Sequence, residues 1–248
     1  MTKKIVRYFI WLPMLALLVV SGCARTHMRA AKDGKGPRQE SSKAIDQNIN
    51  EQSPEGDTPL ILALDNGNTD IAGKLIDKGA KVDLQNKNGD TALIFAAAKG
   101  NTEIAKKLIK KGATVDLQNK NGDTALLFAA ATGRTDIAQM LIDKKARVDI
   151  QNATGDTALI AAAANNITDI ARMLIKKGAN LDIQTKYGNT AIMVAVANGN
   201  QAIVRLLLDK KARLDKHNSD GVTVLDLAVK TDNPNILEMI RTAVAGRR

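Results

Sequence analysis

The chain has 248 residues, 44% of them hydrophobic but only 2% aromatic, and a formal charge of +10. That apolar content supports a folded core and excludes wholesale disorder. Two histidines and one cysteine cannot supply a disulfide framework or a zinc site built from those residues, and six aromatics leave little for nucleic-acid bases to stack on.

The first residues read as an address. Lys3, Lys4 and Arg7 make a basic start, and Phe9 to Val20 is an almost unbroken apolar run. It is far shorter than the roughly twenty residues that a membrane-spanning helix needs. A basic start, a short apolar run and then small residues are the layout of a secretory signal, here residues 1–22. Val20-Ser21-Gly22-Cys23 resembles the lipobox of bacterial lipoproteins. The resemblance implies cleavage before Cys23, a thioether-linked diacylglycerol on its sulfur and acylation of the new amine. A thiolate is the nucleophile suited to such an alkylation. Ala24 follows, not the aspartate that in such lipoproteins of diderm bacteria holds the protein at the inner membrane. The resemblance thus implies an outer-membrane address facing the periplasm in a diderm cell. Residues 23–43 then read as the lipidated cysteine and a flexible basic tether. Gly34, Gly36 and Pro37 interrupt any period, and six basic residues face two acidic ones. Basic residues near an anionic leaflet each add up to ~1 kcal/mol.

A repeat fills the remainder. Gly-x-Thr recurs at Gly56, Gly89, Gly122, Gly155, Gly188 and Gly221, every 33 residues. The units are 56–88, 89–121, 122–154, 155–187, 188–220 and 221–248. In the unit 89–121, Leu93, Ala96 and Ala97 share one helical face; Ile104, Ala105, Leu108 and Ile109 share another. Thr91 suits the start of the first helix and Thr102 the N-cap of the second. Glu103 complements the positive end of the second helix, and Lys110 and Lys111 the negative end. Gly112 fits the left-handed residue after it. Val115 to Gly122 reads as an extended segment and turn. Ile49-Asn50 falls one period before Val82-Asp83, which makes 44–55 a half-unit cap.

The skeleton G-x-T-A-L-x-x-A followed by I-A-x-x-L-I-x-x-G-A-x-V-D resembles the ankyrin repeat. The implied fold is an all-α solenoid of helix-turn-helix units with hairpin loops. Departures carry physical consequences. The family's usual histidine in the first helix is replaced by Ile61, Ile94, Leu127, Ile160 and Met193, so apolar contact must replace a turn-bracing hydrogen bond. Lys145 and Lys211 replace the glycine of Gly79, Gly112 and Gly178, and Asn166 replaces that of Gly67, Gly100, Gly133 and Gly199. A left-handed lysine costs about 1–2 kcal/mol, which makes the third and fifth units the weaker ones. Asn233-Pro234 opens the last second helix as a cap and first-turn pair, and the unit 221–248 reads as a C-terminal cap.

The resemblance implies that hairpin tips and the exposed side of the first helices bind partners. The matching tip residues are Lys87, Asn88, Asp90, Lys120, Asn121, Asp123, Asp156, Lys186, Tyr187, Asn189 and His217, together with Gln85, Gln118, Gln151 and Gln184. Lys99, Asn165 and Asn198 match on the helices. Tyr187 is the aromatic to test first, because aromatics are enriched among binding hot spots. Two aspartate rows recur, Asp83, Asp116, Asp149, Asp182 and Asp215, and Asp57, Asp90, Asp123 and Asp156. Repetition in every unit points to local backbone bonds in turns, not to a metal or a catalytic site. No phosphate loop, zinc-protease helix or nucleophile elbow is present, so neither an enzyme nor a cofactor is expected. The reading is a monomeric, membrane-anchored scaffold for an envelope or periplasmic protein; the alternative is a structural component that binds peptidoglycan or another polymer. The charge agrees. The signal holds +3 and the tether +4, while residues 44–248 hold 27 basic against 24 acidic side chains. The basicity belongs to the address and not to a nucleic-acid surface.

Overall fold

A computed structural model of the chain describes residues 48–246. The signal, Cys23, the tether and the start of the half-unit cap lie outside the described residues. Among these, twelve helices alternate in pairs. The first helices are α1 (Pro59–Asp65), α3 (Ala92–Lys99), α5 (Ala125–Thr132), α7 (Ala158–Ala164), α9 (Ala191–Ala197) and α11 (Val224–Lys230). The second helices are α2 (Thr69–Asp77), α4 (Thr102–Lys110), α6 (Thr135–Asp143), α8 (Thr168–Lys176), α10 (Gln201–Asp209) and α12 (Pro234–Ala245). Each first helix packs on its own second helix and on the first helices of adjacent units, and the second helices make a parallel outer layer. No strand forms among the described residues; a single antiparallel bridge joins His217 and Thr223. The fold is an all-α repeat solenoid.

Alanine explains how closely the inner layer packs. Ala96, Ala97, Ala129, Ala130, Ala162 and Ala163 are fully buried, so helix backbones meet with nothing larger than a methyl group between them. Ile61, Ile94, Leu127, Ile160 and Met193, in the place of the family's histidine, are buried in the same core. Each first helix starts from a threonine with extended backbone. Thr58, Thr91, Thr124, Thr157 and Thr190 accept the N–H three residues on, and Thr223 forms a reciprocal capping box with Asp226.

The second helices start differently from the sequence expectation. Thr102 is their first helical residue, and Asn101 precedes it without a side-chain cap bond. Asn101 has φ −79° and ψ 76°, and the Thr102 N–H bonds back to the Gly100 carbonyl. That is an inverse γ-turn, and it recurs between the helices of the first five units. So short a connection leaves no room for a side-chain cap. Only α12 has one: Asn233 accepts from the Ile236 N–H and Pro234 opens the helix, as its sequence suggests.

The left-handed positions fall where the pattern puts them. Among the described residues, Lys145, Asn166 and Lys211 are the non-glycine residues with positive φ, at 64°, 58° and 61°. The segments after the second helices are turns stitched by side chains, not extended ladders. Val115 and Asp116 lie in a turn, and the loop from Asn119 to Asp123 closes through Asn119 N–H to Asp123 O.

Candidate interaction surface

Three side-chain ladders run along the hairpins, beside a backbone one in which the N–H groups of Lys87, Lys120, Ala153, Lys186 and Ser219 donate to carbonyls of the preceding hairpin. The first is amide to carbonyl. Gln85 Nε2 donates to Gly89 O within its own hairpin at 2.6 Å and to Gln118 O of the next at 3.0 Å. Gln52, Gln118, Gln151 and Gln184 repeat this, the last reaching His217 O. The glutamines read as tips therefore spend their amides inside the stack.

The second ladder is amide to carboxylate. Asn86, Asn119 and Asn152 donate from Nδ2 to Asp57, Asp90 and Asp123 of the preceding unit, each at 2.8 Å. Their Oδ1 atoms accept the N–H groups two and four residues on, which shapes the turn. The third ladder uses the other aspartate row. Asp83, Asp116, Asp149 and Asp182 accept backbone N–H groups of Thr114, Arg147, Asn180 and Arg213, each 31 residues ahead; Asn50 does the same for Lys81. Both aspartate rows are structural, and most of their bonds run between units; Asp156 and Asp215 instead bond within their own segments, to Thr154 and Arg213. Elsewhere stacking brings the next unit's donor to the carboxylate, and the turn-shaping role falls to asparagine.

These ladders decide which tip residues face outward. Asp90 and Asp123 are only 2% exposed and are buried ladder acceptors, not tip contacts. Burial pushes the Asp123 carboxyl up, and nearby Asp90 and Asp156 push the same way, against the Asn152 amide. Lys87, Asn88, Lys120, Asn121, Lys186, Tyr187 and His217 are exposed. Asp156 and Asn189 are half-buried. On the helices, Lys99 Nζ is held by Asp65 at 3.1 Å, and Asn165 Nδ2 caps Ala161 O. Asn198 Nδ2 is buried and makes no hydrogen bond.

One stretch of groove has depth. A cavity of about 140 Å³ lies across units three to five. Leu127, Phe128 and Ala131 from α5, Ile160 and Ala161 from α7 and Val194 from α9 line its floor. Asp123, Asp156, Tyr187 and Asn189 from the hairpins line its rim, with Asn165 at the end of α7. Small-molecule sites usually enclose about 300–1,000 Å³, so this one is sized for a side chain and not for a drug-like ligand. Tyr187 is 55% exposed at its edge and, with Ile71 and Val229, is one of three exposed large hydrophobics among the described residues. Lys87, Asn88, Lys120 and Asn121 lie along the same row of tips, outside the cavity.

No helix among the described residues is long and apolar enough to cross a membrane. A family model described as "Ankyrin repeats (3 copies)" matches the chain over residues 27–119, 94–185 and 177–244. The first match begins inside the stretch whose sequence reads as a tether. No curated protein matches the chain.

Proposed function

The chain belongs to the ankyrin-repeat family, and from that premise we propose that it is a non-catalytic interaction scaffold, held at the bacterial envelope by lipid on Cys23. The family implies protein partners in general. The observation that carries the finer reading is the groove over units three to five, where an apolar floor and a polar rim meet beside exposed Tyr187. The hairpins around it are cross-braced by hydrogen bonds, so a partner would meet a preformed surface and lose little conformational freedom from it. The bound segment lies along the groove, its apolar side chains on the floor and its backbone near Asn165 and Asn189.

The anchor rests on Val20-Ser21-Gly22-Cys23 and on the apolar run before it. Several acyl chains burying methylenes at ~0.8 kcal/mol each would make attachment stable. Outer-membrane placement rests on Ala24. The test is affinity purification of the tagged full-length chain from cells of its source organism. A protein that co-purifies saturably, and is lost with Tyr187→Ala, supports the scaffold. Retention only by insoluble wall material would overturn it in favour of a polymer-binding component. For the anchor, Cys23→Ala must abolish incorporation of labelled fatty acid and release the protein from membranes; a variant still labelled there refutes the assignment.

A further inference from the structure

The amide-to-carboxylate ladder has one broken rung. Asn86, Asn119 and Asn152 cap Asp57, Asp90 and Asp123, and Asn218 Nδ2 reaches Asn189 Oδ1 at 3.3 Å. Between them, the partner of Asp156 is Thr185. Its hydroxyl takes over the turn-shaping work, accepting the N–H groups of Tyr187 and Asn189 at 3.2 Å. It carries no amide, and no hydrogen bond joins it to Asp156. The Asp156 side chain has one bond, Oδ2 accepting at 2.6 Å from Thr154 Oγ1, whose single proton is shared with Asn152 Oδ1 at 2.7 Å. Its other oxygen keeps its accepting capacity, and the residue lines the cavity of units three to five.

The surroundings fix what that oxygen would accept from. Asp123 lines the same cavity, and no lysine, arginine or histidine does. Phe128, Ile160 and Val194 make an apolar floor, and Tyr187 stands at the rim. Carboxylates and an aromatic residue at the rim of a small cavity with an apolar floor match a long aliphatic stem ending in a cation. Resting on the scaffold reading above, we infer that the broken rung makes this cavity a socket for one lysine or arginine side chain of the bound protein segment. Its stem packs on the floor, and its N–H groups donate to Asp156 in the place of the missing asparagine amide. An ionised donor makes the bond charge-assisted, and guanidinium geometry would favour arginine.

The chain supplies its own controls. Asn189 fills the aspartate position in the next unit, so Asp156→Asn installs a residue that the repeat already accommodates. Thr185→Asn restores the rung and occupies the free oxygen. The test is a titration of the ¹⁵N-labelled full-length chain with N-acetyl-arginine and N-acetyl-lysine methylamides. N-acetyl-citrulline methylamide serves as the neutral isostere and putrescine as a free diamine. Saturable shifts of the Thr154 and Tyr187 amides are expected with the two cations. Citrulline, Asp156→Asn and Thr185→Asn should each weaken binding about ten-fold or more, as loss of one charge-assisted bond requires. Thr185→Asn should at the same time raise the urea midpoint, which separates a filled socket from a damaged fold. Equal binding of citrulline, unchanged affinity in Asp156→Asn, or no saturable shift up to the solubility limit overturns the inference. Putrescine binding as tightly as the capped amino acids overturns the assignment to a protein segment. A protein partner lost with Tyr187→Ala but kept by Asp156→Asn would leave the scaffold standing and remove the socket alone.

Discussion

Gly112 and Gly122 are ten residues apart in the interior of the solenoid, and both are left-handed, at φ 88° and 76°. Their surroundings differ. A Cβ on Gly112 meets nothing within 4 Å, and Lys145 holds the equivalent place one unit later. A Cβ on Gly122 falls 2.9 Å from Asn152 Cα, 3.0 Å from Ala153 N and 3.1 Å from Asn152 C, all of them backbone atoms of the next hairpin. Gly112→Ala therefore meets only the left-handed penalty of about 1–2 kcal/mol. Gly122→Ala adds displacement of a hairpin held by the Gln118 and Asn152 ladders, about 1–3 kcal/mol more for overpacking that cannot relax. Urea unfolding followed by far-ultraviolet circular dichroism should rank them in that order, with a gap of about 1–3 kcal/mol at unchanged slope. Equal losses would show that backbone conformation alone sets the glycine at Gly-x-Thr. The close stacking of hairpins would then not be what demands it.

Other expectations follow from the same contacts. Lys145→Gly and Lys211→Gly each exchange a left-handed lysine for the residue that tolerates the conformation. Offset by the entropy of the new glycine, the gain should be up to about 1 kcal/mol in urea midpoints. Asp83→Ala removes the acceptor of both Thr114 N–H at 2.9 Å and its hydroxyl at 2.6 Å. It should cost about 1–2 kcal/mol, more than Asp149→Ala, whose one bond is from the Asn180 N–H. Burial pushes the Asp156 carboxyl up, against a smaller lowering by the Thr154 hydroxyl. The folded state thus holds its proton to higher pH than the unfolded state. This group's stabilisation is full below the ordinary carboxylate range and is lost as pH rises through the raised value. Asp156→Asn should gain on the wild type across that window and run parallel to it above; a gain growing toward acid pH would contradict the sign.

Repetition made most of the fold legible in the sequence. One Gly-x-Thr period placed the six units, the threonine caps of the first helices and the three non-glycine left-handed residues. Locally recognisable chemistry lies behind each of these, because a cap or a positive φ is settled within a few residues. The second-helix starts are less legible, because Thr102 suits an N-cap but the inverse γ-turn at Asn101 takes its place. The ladders are hidden for another reason. Gln85 and Asp90 look like solvent-facing tip residues until the neighbouring hairpin is set beside them, and their partners lie 33 and 29 residues away. A signal was present: glutamine recurs at the full period from Gln52 to Gln184, too regularly for a surface free to vary. The exception in the asparagine row, Thr185, was equally visible as a letter. Its meaning needed the carboxylate it fails to reach.

The groove beside Tyr187 is expected to hold a protein partner. The decisive measurement is a photo-crosslinking amino acid placed at position 187 of the full-length chain in living cells, and in a second strain at Arg172 on the exposed side of α8. A discrete protein adduct from position 187, absent from position 172, is the expected result. Adducts of equal yield from both positions, or none from 187, would contradict it.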